Sequence, residues 1–244
     1  MPPDLPQVIG HRGAAAEAPE NTLEGFREAA RQGARAVEFD AKLTADGVVI
    51  LMHDETLERT TNGRGAVAET PAAAIARLDA GAWFGPDWAG ARVPTLEEAL
   101  HLLARLDLYP NIEIKPCPGR EAETARAVVE TVRCAWPPGR PAPLLSSFAE
   151  ESLRAAGALA PDLPRGLLVE GVPEDWRAKA ESLGCVSLHC AQEDMSPVWA
   201  AAVRQAGLRL AVYTVNDVET ARRLVGWGVQ ALFSDRPGLI QAAL

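Results

Sequence analysis

This 244-residue chain has few aromatic residues, few cysteines and no long hydrophobic run, and it lacks an excess of positive charge. Lysine and arginine number 24 against 33 aspartates and glutamates, so the formal net charge is −9. A nucleic-acid-binding surface would need a basic stripe, and this balance therefore argues against a nucleic-acid partner. It still allows one anionic substrate to be held by a few local cations and a metal ion.

The cysteines and the N-terminus exclude several further classes of protein. No C-x-x-C pair and no zinc-ligand array is present, which is typical of reduced, mostly buried thiols in a cytosolic protein. The opening residues, MPPDLPQVIG, contain no basic segment or long apolar run, so we expect no signal peptide. No segment approaches the ~20 apolar residues of a membrane span. We therefore expect a cytoplasmic protein without stable membrane insertion.

Short apolar runs alternate with helical stretches along the chain. QVIG, ARAVEFD and NIEIK are the first of eight strand-then-helix units, and Asn21, Thr95 and Asn216 are placed to cap three of the helices. Alternating strands and helices predict a parallel sheet, and eight units in this length predict one α/β domain, a TIM (β/α)₈ barrel over residues 1–244. A doubly wound open sheet is the alternative, although no G-x-G-x-x-G motif follows the first strand.

One stretch, from about Asp54 to Val93, interrupts this alternation. Connections in α/β folds are usually ~2–6 residues long, so we interpret this stretch as a small insertion after the second strand. A short helix is predicted around PAAAIARL. The stretch also contains WFGPDW, whose three aromatic rings form either a small satellite core or a rim beside the functional site.

Charged residues stand at the carboxyl ends of the second and third barrel strands, where TIM barrels carry their chemistry. Side-chain direction repeats every two residues in a strand, which puts Glu38 and Asp40 on one face. The same spacing joins Glu113 to Lys115. Three converging carboxylates cannot all stay ionised without a cation, and oxygen ligands favour one divalent ion such as Mg²⁺, Ca²⁺ or Mn²⁺. The alternative is a buried salt-bridge network of these carboxylates with Arg12 and Lys115.

Two histidines reach the same end of the predicted barrel. The first strand ends in GHRG, which places His11 and Arg12 at its carboxyl end. The DG dipeptide at 46–47 indicates a hairpin with a two-residue turn. That turn would place His53 directly across from Asp40, on the same face of the sheet. A longer turn would shift the register by one residue and direct His53 away.

This combination of side chains is suited to cleaving a phosphodiester. His11 and His53 can act as general acid and general base. Arg12, Lys115 and the metal ion can hold a phosphate and stabilise charge on its oxygens. No G-x-S-x-G motif is present, which argues against acyl transfer, and a glycosidase would need two unliganded carboxylates in opposed roles. The residues therefore predict a metal-dependent phosphodiesterase.

A series of short motifs runs through the whole chain in a specific order and spacing. They are HRG at 11–13, PENT at 19–22, EFD at 38–40, TADGVVILMHDETLERTTNGRG at 44–65, PTLEEAL at 94–100, EIK at 113–115, TVND at 214–217 and SDRP at 234–237. With them the chain resembles the glycerophosphodiester phosphodiesterase family. The resemblance implies a TIM-type barrel with an insertion after the second strand. It also implies hydrolysis of deacylated phospholipids, such as glycerophosphocholine or glycerophosphoethanolamine, to sn-glycerol 3-phosphate and an alcohol.

The resemblance also implies a role for each candidate residue. The implied acid–base pair is His11 and His53, the metal ligands are Glu38, Asp40 and Glu113, and the phosphate contacts are Arg12 and Lys115. In this family the glycerol 2-hydroxyl is the implied internal nucleophile, through a cyclic phosphate, and its tethering supplies a large effective molarity. The family often has Trp where this chain has Tyr213, whose ring we expect to line a glycerol pocket. His189 is either a substrate contact or a structural histidine.

Three other functions compete with this one. A lysophospholipase D-like or phospholipase-like enzyme would need a surface for acyl chains, and no amphipathic cationic helix accompanies WFGPDW. A noncatalytic phosphate-binding barrel would keep Arg12 and Lys115 but has no need of two histidines. A metal-dependent aldolase or isomerase can occupy the same fold. The expected partner is a small-molecule glycerophosphodiester, and the sequence is compatible with a homo-oligomer.

Overall fold

The structure is a computed structural model that describes residues 5–244. The strands of this part of the chain are β1 (Val8–His11), β2 (Ala36–Leu43), β3 (Val49–Leu51), β4 (Tyr109–Ile114), β5 (Leu144–Ser147), β6 (Arg165–Val169), β7 (Ser187–Ala191), β8 (Arg209–Tyr213) and β9 (Ala231–Ser234). Its α-helices are α1 (Leu23–Arg31), α2 (Ala72–Ile75), α3 (Leu96–Leu106), α4 (Glu121–Ala135), α5 (Glu150–Leu159), α6 (Trp176–Ser182), α7 (Pro197–Gln205), α8 (Val218–Gly226) and α9 (Pro237–Ala243). Within the described residues, no helix is both long and apolar enough to cross a membrane.

Eight parallel strands close into a barrel. Their order around it is β1, β2, β4, β5, β6, β7, β8 and β9, and β9 pairs with β1 to complete the ring. Helices connect the successive parallel strands, as this kind of pairing requires. The predicted TIM (β/α)₈ barrel is therefore confirmed, and the alternative of an open doubly wound sheet is wrong.

The alternation along β2 and β4 separates the hydrophobic core from the interior of the barrel. Phe39 and Ile112 belong to the core cluster beneath the helices and are fully buried. The ring of Phe39 lies 5.2 Å from that of Phe26 on α1, measured between centroids. Burial of such a side chain contributes about 1.5–3 kcal/mol, so these contacts specify which face of each strand turns outward. Glu38 and Asp40 consequently face inward.

The predicted hairpin is formed by β2 and β3, but its turn is longer than two residues. Leu43 pairs with Val49 at the end of the ladder. The amide of Thr44 donates to the carbonyl of Val48 at 3.0 Å, and the hydroxyl of Thr44 accepts from the Val48 amide at 3.0 Å. These bonds leave residues 45–47 in the turn. The additional residue moves every cross-strand partner by one position.

His53 therefore does not lie across from Asp40, and that prediction is wrong. The next residue in register is Met52, whose amide donates to the carbonyl of Asp40 at 3.0 Å. Because β3 ends at Leu51, His53 lies in a bend beyond the ladder, where strand alternation no longer sets its direction. It reaches the mouth of the barrel through this bend.

The helix caps agree only in part with their prediction. Thr95 caps α3 through a capping box, as expected. The cap of α1 is Thr22 rather than Asn21, and the cap of α8 is Asp217 rather than Asn216. Both asparagines instead direct their side chains to aspartates in the barrel mouth, which leaves the following residue to accept the hydrogen bond from the first turn.

Residues 52–95 connect β3 with α3 and include α2, the short helix predicted around PAAAIARL. A small apolar cluster, apart from the barrel core, packs this segment against β3, and its members are Ile50, Met52, Leu57, Val67, Ile75, Ala80 and Val93. The rings of Trp83 and Phe84 meet edge to face at 5.6 Å, and those of Phe84 and Trp88 at 6.2 Å. None of these three rings lines the cavity of about 460 Å³ at the mouth of the barrel or belongs to the small cluster.

Candidate active site

A cavity of about 460 Å³ lies at the carboxyl ends of the barrel strands. Most of the predicted site residues line it, namely His11, Arg12, Glu38, His53, Glu113, Lys115 and Tyr213. The remaining one, Asp40, is buried beside them with 1% of its surface exposed. Residues from β1, the β2–β3 hairpin, β4 and β8 thus meet at one place, as parallel strand ends do in a closed barrel.

The GHRG turn depends on both of its glycines. A Cβ atom on Gly10 would lie 2.2 Å from the carbonyl oxygen of Gly13, and Gly13 has a φ of 98°. Arg12 itself adopts a φ of 50° in the left-handed region. This turn lets the backbone amide of Arg12 donate to the Glu38 carboxylate at 3.2 Å. It also brings the Nε atom of the Arg12 side chain to 3.3 Å from the Asp40 carboxylate.

The three predicted metal ligands form one cluster. Glu38, Asp40 and Glu113 each offer a carboxylate oxygen, and these oxygens lie within 4.8 Å of one another. Asp40 and Glu113 are neighbours across the β2–β4 ladder. The ammonium of Lys115 lies 3.2 Å from Asp40 and 3.2 Å from Glu113, so the cluster also contains the predicted ion pairs.

The pKa values of this cluster indicate that Arg12 and Lys115 do not supply enough positive charge to keep all three carboxylates ionised. Burial, followed by repulsion from Asp40 and Glu113, raises the pKa of Glu38 well above its usual value. Burial and Asp40 raise the pKa of Glu113 to about 7. Burial also opposes ionisation of Asp40, but Arg12 and Lys115 outweigh it and lower the pKa of that carboxyl. Three buried oxygen donors whose full ionisation needs a further positive charge could hold a metal ion.

Each of the two histidines is held by an aspartate. The Nδ1 of His11 lies 2.7 Å from Asp235, and the Nδ1 of His53 lies 2.7 Å from Asp54. An ionised carboxylate can only accept, so Nδ1 is the donor and the Nε2 atom of a neutral ring is left as an acceptor. The Nε2 of His11 lies 3.9 Å from Glu38. Burial lowers the pKa of His53, which keeps its ring neutral near pH 7.

Two asparagines that were predicted as helix caps support the site instead. The amide nitrogen of Asn21 donates to the Asp40 carboxylate at 2.8 Å, and its oxygen accepts from the Asp40 amide at 3.1 Å. Asn216 donates to Asp235 at 2.6 Å and so supports the partner of His11. Asn21 belongs to the PENT motif and Asn216 to the TVND motif. Each stands just before a helix, which is why the sequence favours a capping role for both.

An ion-pair chain links the segment after β3 to the turn after β1. The Nε of Arg59 donates to Asp54 at 2.6 Å, and its terminal nitrogens each donate to Glu20 at 2.8 Å. Glu20 also accepts from Arg12 at 2.9 Å. Hydrogen bonds from Arg59 lower the pKa of Asp54 to about 2, so the carboxylate that holds His53 stays ionised. The sequence does not predict these ion pairs, because the spacing of the motifs does not show that the two segments meet.

The opposite wall of the cavity is aromatic. Tyr213 lines it, and the hydroxyl of Tyr213 donates to the carbonyl of Val169 at 2.7 Å. The ring of Phe148 meets that of Tyr213 edge to face at 6.0 Å. His189 is fully buried in the inner wall, with Nε2 2.9 Å from the hydroxyl of Ser187. Burial lowers the pKa of His189 to about 3, so this histidine is neutral.

Two imidazoles, two cationic side chains and a carboxylate cluster meet at the mouth of a (β/α)₈ barrel, an arrangement suited to a phosphoric diester hydrolase. The family model described as "Glycerophosphoryl diester phosphodiesterase family" matches residues 11–239. The chain belongs to this family, as its motifs led us to expect.

Several proteins are similar to this one over nearly the whole length of the chain. A glycerophosphodiester phosphodiesterase of Caldanaerobacter subterraneus subsp. tengcongensis is 37% identical over 94% of this chain and 94% of its own length. One from Bacillus subtilis is 34% identical over 98% of this chain and 86% of its own length. Among solved structures, a phosphodiesterase of Oleispira antarctica in complex with the product sn-glycerol-3-phosphate is 40% identical. It superimposes with a TM-score of 0.96 over 98% of this chain and 96% of that chain.

Proposed function

We propose that this protein is a metal-dependent glycerophosphodiester phosphodiesterase. Its substrates are deacylated phospholipids, such as glycerophosphocholine and glycerophosphoethanolamine, which it hydrolyses to sn-glycerol 3-phosphate and an alcohol. The observation that carries the proposal is that His11 and His53 line the same cavity as the carboxylate cluster. The sn-glycerol-3-phosphate bound by the Oleispira antarctica phosphodiesterase is an anion of the kind that Arg12 and Lys115 suit.

The proposed cofactor is one divalent cation, Mg²⁺, Ca²⁺ or Mn²⁺, with Glu38, Asp40 and Glu113 as its ligands. The all-oxygen donor set and the raised pKa values of Glu38 and Glu113 support a hard cation. When bound, such an ion would neutralise negative charge on the phosphate oxygens. Arg12 and Lys115 would hold the phosphate on the same side, since both line the cavity beside the cluster.

The proposed acid–base pair is His11 and His53, each acting through Nε2. One ring removes the proton from the glycerol 2-hydroxyl as that oxygen attacks the phosphorus. The other ring donates a proton to the oxygen of the departing alcohol, which leaves a cyclic phosphate. Water then opens the cyclic phosphate with the two roles reversed, and sn-glycerol 3-phosphate is released. Asp235 and Asp54 accept from Nδ1 of the two rings, so that Nε2 is free to take a proton in the neutral ring that acts as base and carries a proton in the protonated ring that acts as acid.

The test measures release of sn-glycerol 3-phosphate from a panel of glycerophosphodiesters. Chelation should abolish the activity, and one of the three ions should restore it. His11→Ala and His53→Ala should each lower kcat by about 10²–10⁴-fold. The control is His101→Ala, which removes an exposed histidine of α3 that does not line the cavity. No release from any diester with any of these ions would overturn the proposal, and full activity after verified metal removal would overturn its metal dependence.

Three further features belong to the same proposal. We propose that residues 1–244 form a single domain of this family, with the insertion at about 54–93. We propose a cytoplasmic location, which is supported by the free thiols of all four cysteines. The proposed partner is the small-molecule diester itself.

A further inference from the structure

We propose that Lys42 is a positioning residue for Lys115, the proposed phosphate contact that follows β4. This inference rests on the proposed function and adds a residue to it. Lys42 does not line the cavity of about 460 Å³, so it has no direct contact with a substrate there. It acts by holding the backbone of Lys115, and with it the ammonium group that faces the phosphate.

Lys42 is a buried lysine without a carboxylate partner. Only 1% of its surface is exposed, and among residues 5–244 no carboxylate forms an ion pair with it. Lysine is almost never fully buried unless it is paired, because removing its charged group from water costs several kcal/mol. An apolar side chain would fill this place at lower cost. The burial of Lys42 therefore points to a role that requires an N–H donor.

The amino group of Lys42 donates to the backbone carbonyl of Lys115 at 3.2 Å. Lys42 stands two residues after Asp40 on β2, and the alternation of a strand directs both side chains to the same face. Lys115 lies just beyond Ile114, the last residue of β4, so its carbonyl has no place in the strand ladder. The bond from Lys42 supplies the partner that the ladder does not.

The backbone of Lys115 is thereby held on both sides. Its amide donates to the carbonyl of Ala41 at 3.0 Å, and its carbonyl accepts from Lys42. From this fixed backbone the side chain places its ammonium 3.2 Å from Asp40 and 3.2 Å from Glu113. A displacement of about 1 Å in a group that positions the substrate can lower a rate by about a hundredfold. The bond from Lys42 therefore contributes to catalysis although Lys42 lies outside the cavity.

The segments around Lys115 stay attached to each other without Lys42. Arg120, at the start of α4, donates to the carbonyl of Thr44 at 2.8 Å, directly after β2. The hydroxyl of Ser147 donates to the carbonyl of Ile114 at 2.6 Å. Because neither bond involves Lys42, Lys42→Met should leave the protein folded and release only the carbonyl of Lys115.

A double-mutant cycle tests the inference through kcat/KM for release of sn-glycerol 3-phosphate from glycerophosphocholine. Lys42→Met should lower kcat/KM about tenfold to a hundredfold in the wild type. It should lower kcat/KM by less than about twofold in a Lys115→Ala background, because its effect passes through Lys115. Lys42→Gln keeps an N–H donor and should recover part of the loss. Equal losses in the two backgrounds would overturn the positioning role.

The control is Lys179→Met, which removes the only other lysine of the chain. Lys179 belongs to α6 and does not line the cavity, so kcat/KM should stay at the wild-type value.

Hydrogen exchange of the Lys115 amide reads the same contact without turnover. Lys42→Met should speed this exchange by about tenfold, because releasing the carbonyl loosens the neighbouring bond from the amide to Ala41. Unchanged exchange would overturn the positioning role and leave the proposed function standing. Absence of hydrolysis of every diester would instead overturn the proposed function, and the exchange rates would still decide whether Lys42 holds Lys115.

Discussion

Arg59 and Glu20 form a two-point ion pair, in which both terminal nitrogens of the guanidinium lie 2.8 Å from carboxylate oxygens. The pair joins the segment after β3 to the turn after β1. Arg59 also binds Asp54, the carboxylate that holds His53, and Glu20 also binds Arg12, the proposed phosphate contact. One guanidinium therefore connects Asp54 with the partner of Arg12. We expect this pair to set the distance between the two halves of the site.

Arg59→Ala should lower kcat/KM by about tenfold to a hundredfold while leaving the fold intact, because residues that orient catalytic groups have effects of this size. Arg59→Lys should recover only part of the loss, since an ammonium cannot replace a planar guanidinium that binds two carboxylates. Steady-state kinetics with glycerophosphocholine measures the effect. Arg64→Ala, an exposed arginine of the same segment, is the control. Unchanged kinetics in a folded Arg59→Ala protein would contradict a positioning role.

Asp235→Asn should lower kcat by about a hundredfold. Both oxygens of Asp235 are used, one by the Nδ1 of His11 at 2.7 Å and the other by Asn216 at 2.6 Å. An asparagine has one acceptor oxygen, so one of these two donors would face an NH₂ group and the ring of His11 would lose its tautomer or its orientation. Kinetics measures the loss, and nitrogen NMR of the imidazole reports the tautomer. Asp162→Asn, on the protein surface, is the matched control. Wild-type kcat in Asp235→Asn would count against this role for the aspartate.

Glu38→Gln should have opposite effects on the protein without metal and with metal. Burial and two neighbouring carboxylates raise the pKa of Glu38, so a neutral side chain there should raise the free energy of unfolding in the presence of chelator. A bound cation at a hundred times its Kd should stabilise the wild type by about 2.7 kcal/mol, and the variant should lose most of this gain. Thermal denaturation with and without Mg²⁺, Ca²⁺ or Mn²⁺ measures both effects, with the exposed Glu69→Gln as control. Equal stabilisation of variant and wild type by the ion would remove Glu38 from the ligand set.

His189 should make the fold less stable in mild acid. Burial lowers its pKa to about 3, whereas the unfolded chain has a histidine pKa of about 6.5. The unfolded state binds more protons between these two values, so stability falls as the pH falls below about 6.5. This histidine alone should cost about 2 kcal/mol between about pH 7.5 and about pH 5.

Urea unfolding of the wild type and of His189→Gln at these two pH values tests this expectation. Glutamine can still bond the hydroxyl of Ser187 but does not titrate, so the variant should lose less stability on acidification. The difference between the two pH values matters here, because the substitution also changes packing against Phe233. Equal losses in both proteins would show that His189 is protonated in the folded state or is not the group responsible.

Local pattern was sufficient to predict the barrel and its carboxylate cluster. Glu38, Asp40 and Glu113 alternate with apolar residues, and the period of a strand decides which of them face inward. Once eight strand-helix units close into a ring, the ends of β2 and β4 are adjacent, and their charged residues must meet. The motifs of the family are equally local, and they are sufficient to indicate the family to which the chain belongs.

Local pattern could not predict the contacts that depend on turn geometry or on segments far apart in the sequence. The position of His53 followed from one additional residue in the hairpin turn and from the bend after Leu51. His11 is held by Asp235, which lies 224 residues further along the chain. The sequence by itself determined which side chains are available and which faces they occupy, because these follow from backbone periodicity. Only the tertiary structure decided which carboxylate holds which imidazole or guanidinium, because hydrogen bonds between distant segments leave no periodic trace.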